Sequence, residues 1–177
     1  MSKYIIISNR LPVTIEKTEN GMIYKKSIGG LATGVSTIHK IKESLWIGWP
    51  GISSDALNNK EMKEIASQLK KEYKCIPVNM DDKELEQFYH GFCNETIWPL
   101  FHYFTQHAVY DQTHWESYTK VNTLFSERVL DVAQPGDIIW VHDYHLMLLP
   151  RLIRAQLPEA TIGYFLHIPF PSFEIFR

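Results

Sequence analysis

The sequence predicts an α/β domain: a Rossmann-like, mainly parallel sheet flanked by helices. Three observations carry that prediction. Short, β-branched apolar runs without polar alternation recur along the chain, as strands covered on both faces do. Between them lie segments whose apolar residues fall three or four apart, the spacing of amphipathic helices. Strand and helix patterns alternate over almost the whole length, the order that builds right-handed crossovers.

The elements follow in order. Residues 4–8 (Tyr-Ile-Ile-Ile-Ser) form the first strand, which stops at Asn9-Arg10-Leu11-Pro12. Residues 21–27 alternate only weakly after Glu19-Asn20-Gly21 and read as a hairpin-like insertion. Gly29-Gly30-Leu31-Ala32-Thr33-Gly34 opens a helix over 31–43. The second strand, 44–49, is closed by Pro50-Gly51. A helix over 58–72 with solvent-type charge spacing leads to a third strand at 73–80, ahead of an acidic cluster. From Trp115 the apolar positions Tyr118, Val121, Leu124, Phe125, Val129 and Val132 trace a helix over 114–133. The clearest strand, 137–142, leaves the turn Gln134-Pro135-Gly136. A shorter helix over 146–157 carries Pro150 near its start, where proline is tolerated. Residues 161–167 are the fifth strand.

A length of 177 residues suits about one domain. With 45% hydrophobic and 21% charged residues, the composition is that of a globular chain rather than a disordered, collagenous or coiled-coil one. Lys and Arg number 18 against 20 Asp and Glu, without a basic stripe. Nucleic acid and anionic membrane are therefore poor partners, and small molecules or proteins better ones. Cys75 and Cys93 make neither a disulfide framework nor a CxxC metal pair, which fits a cytoplasmic location. The apolar run at the N-terminus is too short for a signal peptide or a membrane span. Oligomeric state stays open, a homo-oligomer included.

In open α/β sheets ligands bind beyond the carboxyl ends of the strands, so strand ends predict the site. Here they supply Asn9-Arg10, Gly48-Trp49-Pro50-Gly51, His142-Asp143-Tyr144-His145 and His167-Ile168-Pro169-Phe170-Pro171. Arg10 offers a permanently charged fork suited to phosphate or carboxylate, against the commoner fate of a surface ion pair. Gly29 and Gly30 precede a helix N-terminus where a phosphate could approach, or form a tight turn; the G-x-G-x-x-G spacing is not matched. His142-Asp143-Tyr144-His145 admits metal ligation, an acid–base pair, or hydrogen bonding to a polyhydroxy ligand. Strand alternation turns His142 and Asp143 to opposite faces, which argues against joint ligation. Asp143 is better as a sugar-hydroxyl acceptor, and His142 and His145 as structural hydrogen-bonders. His167 sits at the rim before two stiffening prolines. Tyr89 and Trp98 could pack against sugar, although periodicity alone favours core packing.

These motifs occur in a familiar order. Ser8-Asn9-Arg10-Leu11-Pro12, Gly29-Gly30-Leu31-Ala32, Trp46 to Gly51, Phe88-Tyr89 with Trp98-Pro99, His142 to His145, and Phe165 to Pro171 together resemble the trehalose-6-phosphate synthase family over essentially the entire chain. The resemblance implies a retaining GT-B glycosyltransferase that moves glucose from UDP-glucose to glucose 6-phosphate, without metal or cofactor. It implies that this is part of the N-terminal, acceptor-side domain, with the C-terminal nucleotide-binding domain absent from residues 1–177. By the same resemblance Arg10, Trp49, Tyr89 and Trp98 would hold glucose 6-phosphate, and Gly29 and Gly30 would lie against the donor diphosphate. Asp143 and His167 would contact the transferring sugar and acceptor as catalytic residues, and Ile168 with Trp98 would shape acceptor selection. The family mechanism is similar to a front-face displacement in which the leaving phosphate oxygen takes the acceptor proton. These residues alone would then transfer no glucose. Two other readings compete: a non-catalytic sugar-phosphate-binding module, and a metal-dependent hydrolase built on His142, Asp143 and His145.

Overall fold

The isoleucines of β1 (Tyr4–Arg10) set the centre of the fold. The structure is a computed structural model that describes residues 2–27, 34 and 43–176. Ile5, Ile6 and Ile7 are completely buried, each contributing roughly 1.5–3 kcal/mol of burial. The predicted insertion is a true antiparallel hairpin, β2 (Val13–Thr18) and β3 (Gly21–Lys26). Gly21 takes a φ of 116° at its turn, a backbone that side chains rarely adopt. The predicted helix over 31–43 and the glycines at 29 and 30 lie outside the described residues. β4 (Ser44–Trp49) follows, then α1 (Asn59–Tyr73). Its capping box closes the first turn: Asn58 accepts from the Lys60 and Glu61 N–H groups, and Glu61 accepts from Asn58 N–H.

The third strand is shorter than predicted, because Tyr73 still belongs to α1 and Lys74 ends that helix in the left-handed region at φ 52°. Only β5 (Cys75–Pro77) remains extended. The next element was absent from the sequence prediction. Asp82–Glu84, a π-type stretch Leu85–Ile97 and Trp98–Phe101 run as consecutive helical segments, here α2. Its start carries a second capping box, Asp81 with Glu84. α3 (Gln112–Leu130), β6 (Ile138–His142), α4 (Leu149–Gln156), β7 (Thr161–Phe165) and the short α5 (Phe173–Phe176) complete the chain.

The five-stranded sheet is parallel throughout, in the order β5-β4-β1-β6-β7. The chain therefore fills one side of β1, then returns to fill the other. The crevice above β1 and β6 is the switch point at which doubly wound sheets bind ligands. The twofold alternation of β1 divides the core. Ile5 and Ile7, with Ile47, Ile139 and Val141, pack against Phe88, Tyr118 and Phe125 of α2 and α3. Ile6 and Trp46 join Leu11, just ahead of the hairpin, Val13 and Ile15 within it, and Ile65 and Leu69 from α1. Both cysteines are buried. Burial pushes the Cys75 thiol up to about 12 and that of Cys93 well above its ordinary value, so both stay protonated packing groups.

Candidate functional site

At the end of β1 the register shifts between Ile7 and Arg10, so Arg10 pairs with Trp49 of β4. The Arg10 guanidinium lies over the Trp49 ring at 4.7 Å from its centroid, a cation–π contact that holds the charge at the rim without neutralising it. Trp49 is itself anchored, its indole N–H donating to the Ile52 carbonyl at 3.0 Å.

On the other side of β1 the chain leaves β6 through Asp143, whose φ of 75° is a strained backbone for a residue with a Cβ. Such strain costs of order 1–3 kcal/mol and persists only where the surroundings impose it. Here Asp143 N–H donates to the Phe165 carbonyl at 2.7 Å, and the Asp143 carbonyl accepts from the Tyr164 hydroxyl at 3.1 Å and Leu146 N–H at 3.2 Å. The carboxylate Oδ1 accepts the His167 N–H at 3.2 Å, tying the loop after β6 to the loop after β7. Burial raises the Asp143 pKa above the usual carboxylate range, although backbone N–H groups of Tyr144 and His167 oppose the shift.

His142 and His167 meet, with Nδ1 of the first 3.1 Å from Nε2 of the second. Burial, followed by the neighbouring His167, lowers the His142 pKa to about 4. His145 is a different case. Its Nδ1 lies 3.8 Å from Asp143 Oδ2, but burial holds its pKa down to about 3, so the imidazole is neutral and the contact is not an ion pair. Tyr89 stacks on this ring at 5.7 Å and 11°. Trp98, 44% exposed, joins the group through Tyr144, at 5.8 Å between ring centroids, and through His102. Trp49, Tyr89 and Ile168 are partly buried and rest on the same core cluster, so that core supports three of the predicted site residues.

The loop from Asp143 to Met147 is fixed from beneath by α3. The Tyr118 hydroxyl donates to the Tyr144 carbonyl at 2.8 Å and accepts from Met147 N–H at 3.0 Å. Asn122 donates to the His145 carbonyl at 3.1 Å. Tyr118→Phe takes the hydroxyl partner from the buried Tyr144 carbonyl and the partly buried Met147 N–H, and is expected to cost about 1–3 kcal/mol of stability. Urea unfolding checks this, and an unchanged midpoint would contradict it.

Two further strand-end residues complete the rim, His142 as the structural hydrogen-bonder expected there and Asn9 without a role assigned from the sequence. Asn9 is buried with its Oδ1 unpartnered among the described residues, and His142 carries the imidazole bonded to His167. Their place at strand ends was visible, but which atoms are left without partners exists only in three dimensions.

A switch-point rim with a guanidinium, a partly buried carboxylate, paired imidazoles and aromatic faces has the chemistry that suits a polar, oxygen-rich small molecule. Comparison with known proteins narrows this class. Residues 2–177 match the model of glycosyltransferase family 20, and the chain belongs to that family. The alpha,alpha-trehalose-phosphate synthase (UDP-forming) of Yarrowia lipolytica is 44% identical over 184 residues, covering 100% of this chain and 39% of that protein. An Escherichia coli trehalose-6-phosphate structure bound with UDP-2-fluoro glucose superposes with a TM-score of 0.76 at 32% identity, covering 99% of this chain and 35% of that one. A Burkholderia xenovorans alpha,alpha-trehalose-phosphate synthase in complex with glucose-6-phosphate gives 0.73 at 28% identity, with coverages of 99% and 35%. The chain thus spans little more than a third of the length of these relatives.

Proposed function

We propose that this chain forms the acceptor-side, N-terminal part of a retaining GT-B glycosyltransferase that transfers glucose from UDP-glucose to glucose 6-phosphate, giving trehalose 6-phosphate and UDP. The observation that carries the reading is the rim itself, in a chain of family 20: Arg10 held over Trp49 on one side of β1, and Asp143 tied to His167 on the other. Arg10 supplies the fixed positive charge a phosphate needs. Trp49, Tyr89 and Trp98 offer faces to the sugar C–H surface. Gly29 and Gly30 are assigned to the donor diphosphate, and Ile168 with Trp98 to acceptor selection. Asp143 accepts from sugar hydroxyls, and His167 lies beside it. The chemistry asked of these residues is positioning and charge stabilisation, since the leaving phosphate oxygen takes the acceptor proton. The donor nucleotide is assigned to a second domain facing this one, so residues 1–177 assayed by themselves are expected to release no UDP.

The test is equilibrium binding of glucose 6-phosphate followed by tryptophan fluorescence, with Trp49 as the reporter beside Arg10. Arg10→Ala is expected to weaken binding about 10- to 100-fold, the worth of one charge-assisted contact. Unaltered affinity would remove Arg10 from the site and the reading with it.

A further inference from the structure

The pairing of His142 with His167 carries a consequence for which proton faces the crevice. His142 is 1% exposed, and its ring packs 4.4 Å from that of Trp140. It makes one hydrogen bond among the described residues, through Nδ1 to His167 Nε2 at 3.1 Å, while its own Nε2 is buried without a partner. A neutral imidazole holds a single proton, so one nitrogen donates and the other accepts. Two arrangements satisfy the 3.1 Å contact. In one, His167 donates, which strands the only N–H of His142 in the interior. In the other, His142 donates, and only a lone pair on Nε2 is left unmet. Buried orphan N–H groups are the rarer and costlier outcome, so the second arrangement wins.

We propose that His142 is a positioning residue that fixes the tautomer of His167: its Nδ1–H donates to His167 Nε2, and His167 is thereby left protonated on Nδ1 as a donor to a sugar oxygen. His167 Nδ1 makes no hydrogen bond to a described residue, and the ring is exposed. Phe165 lies 4.7 Å from it, between ring centroids. His167 therefore enters the reaction as a hydrogen-bond donor through Nδ1, not as a base acting through Nε2. The neutral state of His142 agrees with this, since burial depresses its pKa. The role of the donated proton rests on the function proposed above, whereas the tautomer does not.

The experiment separates the two. In the protein labelled with nitrogen-15 histidine, two-bond proton–nitrogen correlations report which ring nitrogen of His167 carries the proton. The expected pattern is Nδ1–H in the native sequence. Loss of that pattern is expected in His142→Phe, and its return in His142→Asn, whose side-chain amide places an N–H near the position of Nδ1. A native His167 protonated on Nε2 would overturn the proposal without any variant having to fold. In the full-length enzyme, His142→Phe is expected to lower kcat about tenfold with little change in KM, and His142→Asn to restore it. A His142→Phe protein that shifts the tautomer yet keeps kcat would leave the pairing standing and remove the sugar contact assigned to His167.

Discussion

Asp143→Asn is expected to lower glucosyl transfer by roughly 10²- to 10³-fold, the effect of removing one preorganised charge from a reacting centre, while leaving the protein at least as stable as before. The two halves have one cause. Asparagine tolerates the positive φ at this position and keeps an oxygen for the His167 N–H, so the loop after β6 can hold its shape. Lost is the negative charge proposed to accept from sugar hydroxyls. That charge is costly to keep, because burial raises the Asp143 pKa. A carboxyl group whose folded pKa lies above its unfolded one contributes stability below the unfolded value and loses it as pH rises through the folded value. At neutral pH the native protein therefore carries an ionised Asp143 at a cost that the neutral amide removes. Melting temperatures should favour Asp143→Asn at pH 7, and the advantage should fade towards pH 4. UDP release by the full-length enzyme gives the catalytic half. Its acid limb should lie above the ordinary carboxylate range in the native protein. Native turnover in Asp143→Asn would dismiss the carboxylate from the reaction.

What the sequence could reveal depended on whether local pattern and tertiary structure agreed. β1, β4 and β6 were legible because a strand buried on both faces must be apolar at successive positions, as Ile5, Ile6 and Ile7 are. α3 was legible because Tyr118, Val121, Phe125 and Val129 hold an ordinary helical stripe. α2 was not. Over Leu85–Ile97 the backbone is π-type, and the buried positions Phe88, Gly91, Cys93, Thr96 and Ile97 follow its wider turn rather than a 3.6-residue period. The strand predicted over 73–80 shrank for a related reason. Its first residue, Tyr73, is the partly buried last residue of α1, and a left-handed Lys74 marks a boundary that no glycine announced. At the candidate site, the rule of strand ends put Arg10, Trp49, Asp143 and His167 at one rim, which is where they lie. It could not find the twist that points Arg10 at Trp49, nor the His142–His167 pair, since both depend on the relative height of adjacent strands.

Gly48→Ala should be the most damaging single methyl group in the described residues. A Cβ built at Gly48 would lie 2.8 Å from the Ser8 carbonyl oxygen, 2.9 Å from the Arg10 carbonyl carbon and 2.9 Å from Leu11 N. All three are backbone atoms, and their neighbours hold them from several sides. Leu11 N–H donates to the Trp49 carbonyl at 2.9 Å, and Val78 N–H to the Gly48 carbonyl at 2.9 Å. Ser8 Oγ accepts from the Trp46 indole at 2.8 Å and donates to the Arg10 carbonyl at 2.7 Å. Relief requires β1 and β4 to part where the register shifts, at the place that sets Arg10 over Trp49. A cost of about 3 kcal/mol is expected, at the upper end for overpacking because no flexible side chain can yield. Gly163→Ala is the matched control. It also lies in a strand, but its nearest contact would be the Trp140 side chain at 3.5 Å, an ordinary van der Waals distance. It should change stability little. Urea midpoints of the two variants decide the matter, and equal midpoints would show that the end of β1 can move freely. The Trp49 emission should then separate fold from site. Where Gly48→Ala still folds, glucose 6-phosphate should no longer perturb that emission as it does in the native protein, because the ring and the guanidinium above it have been driven apart.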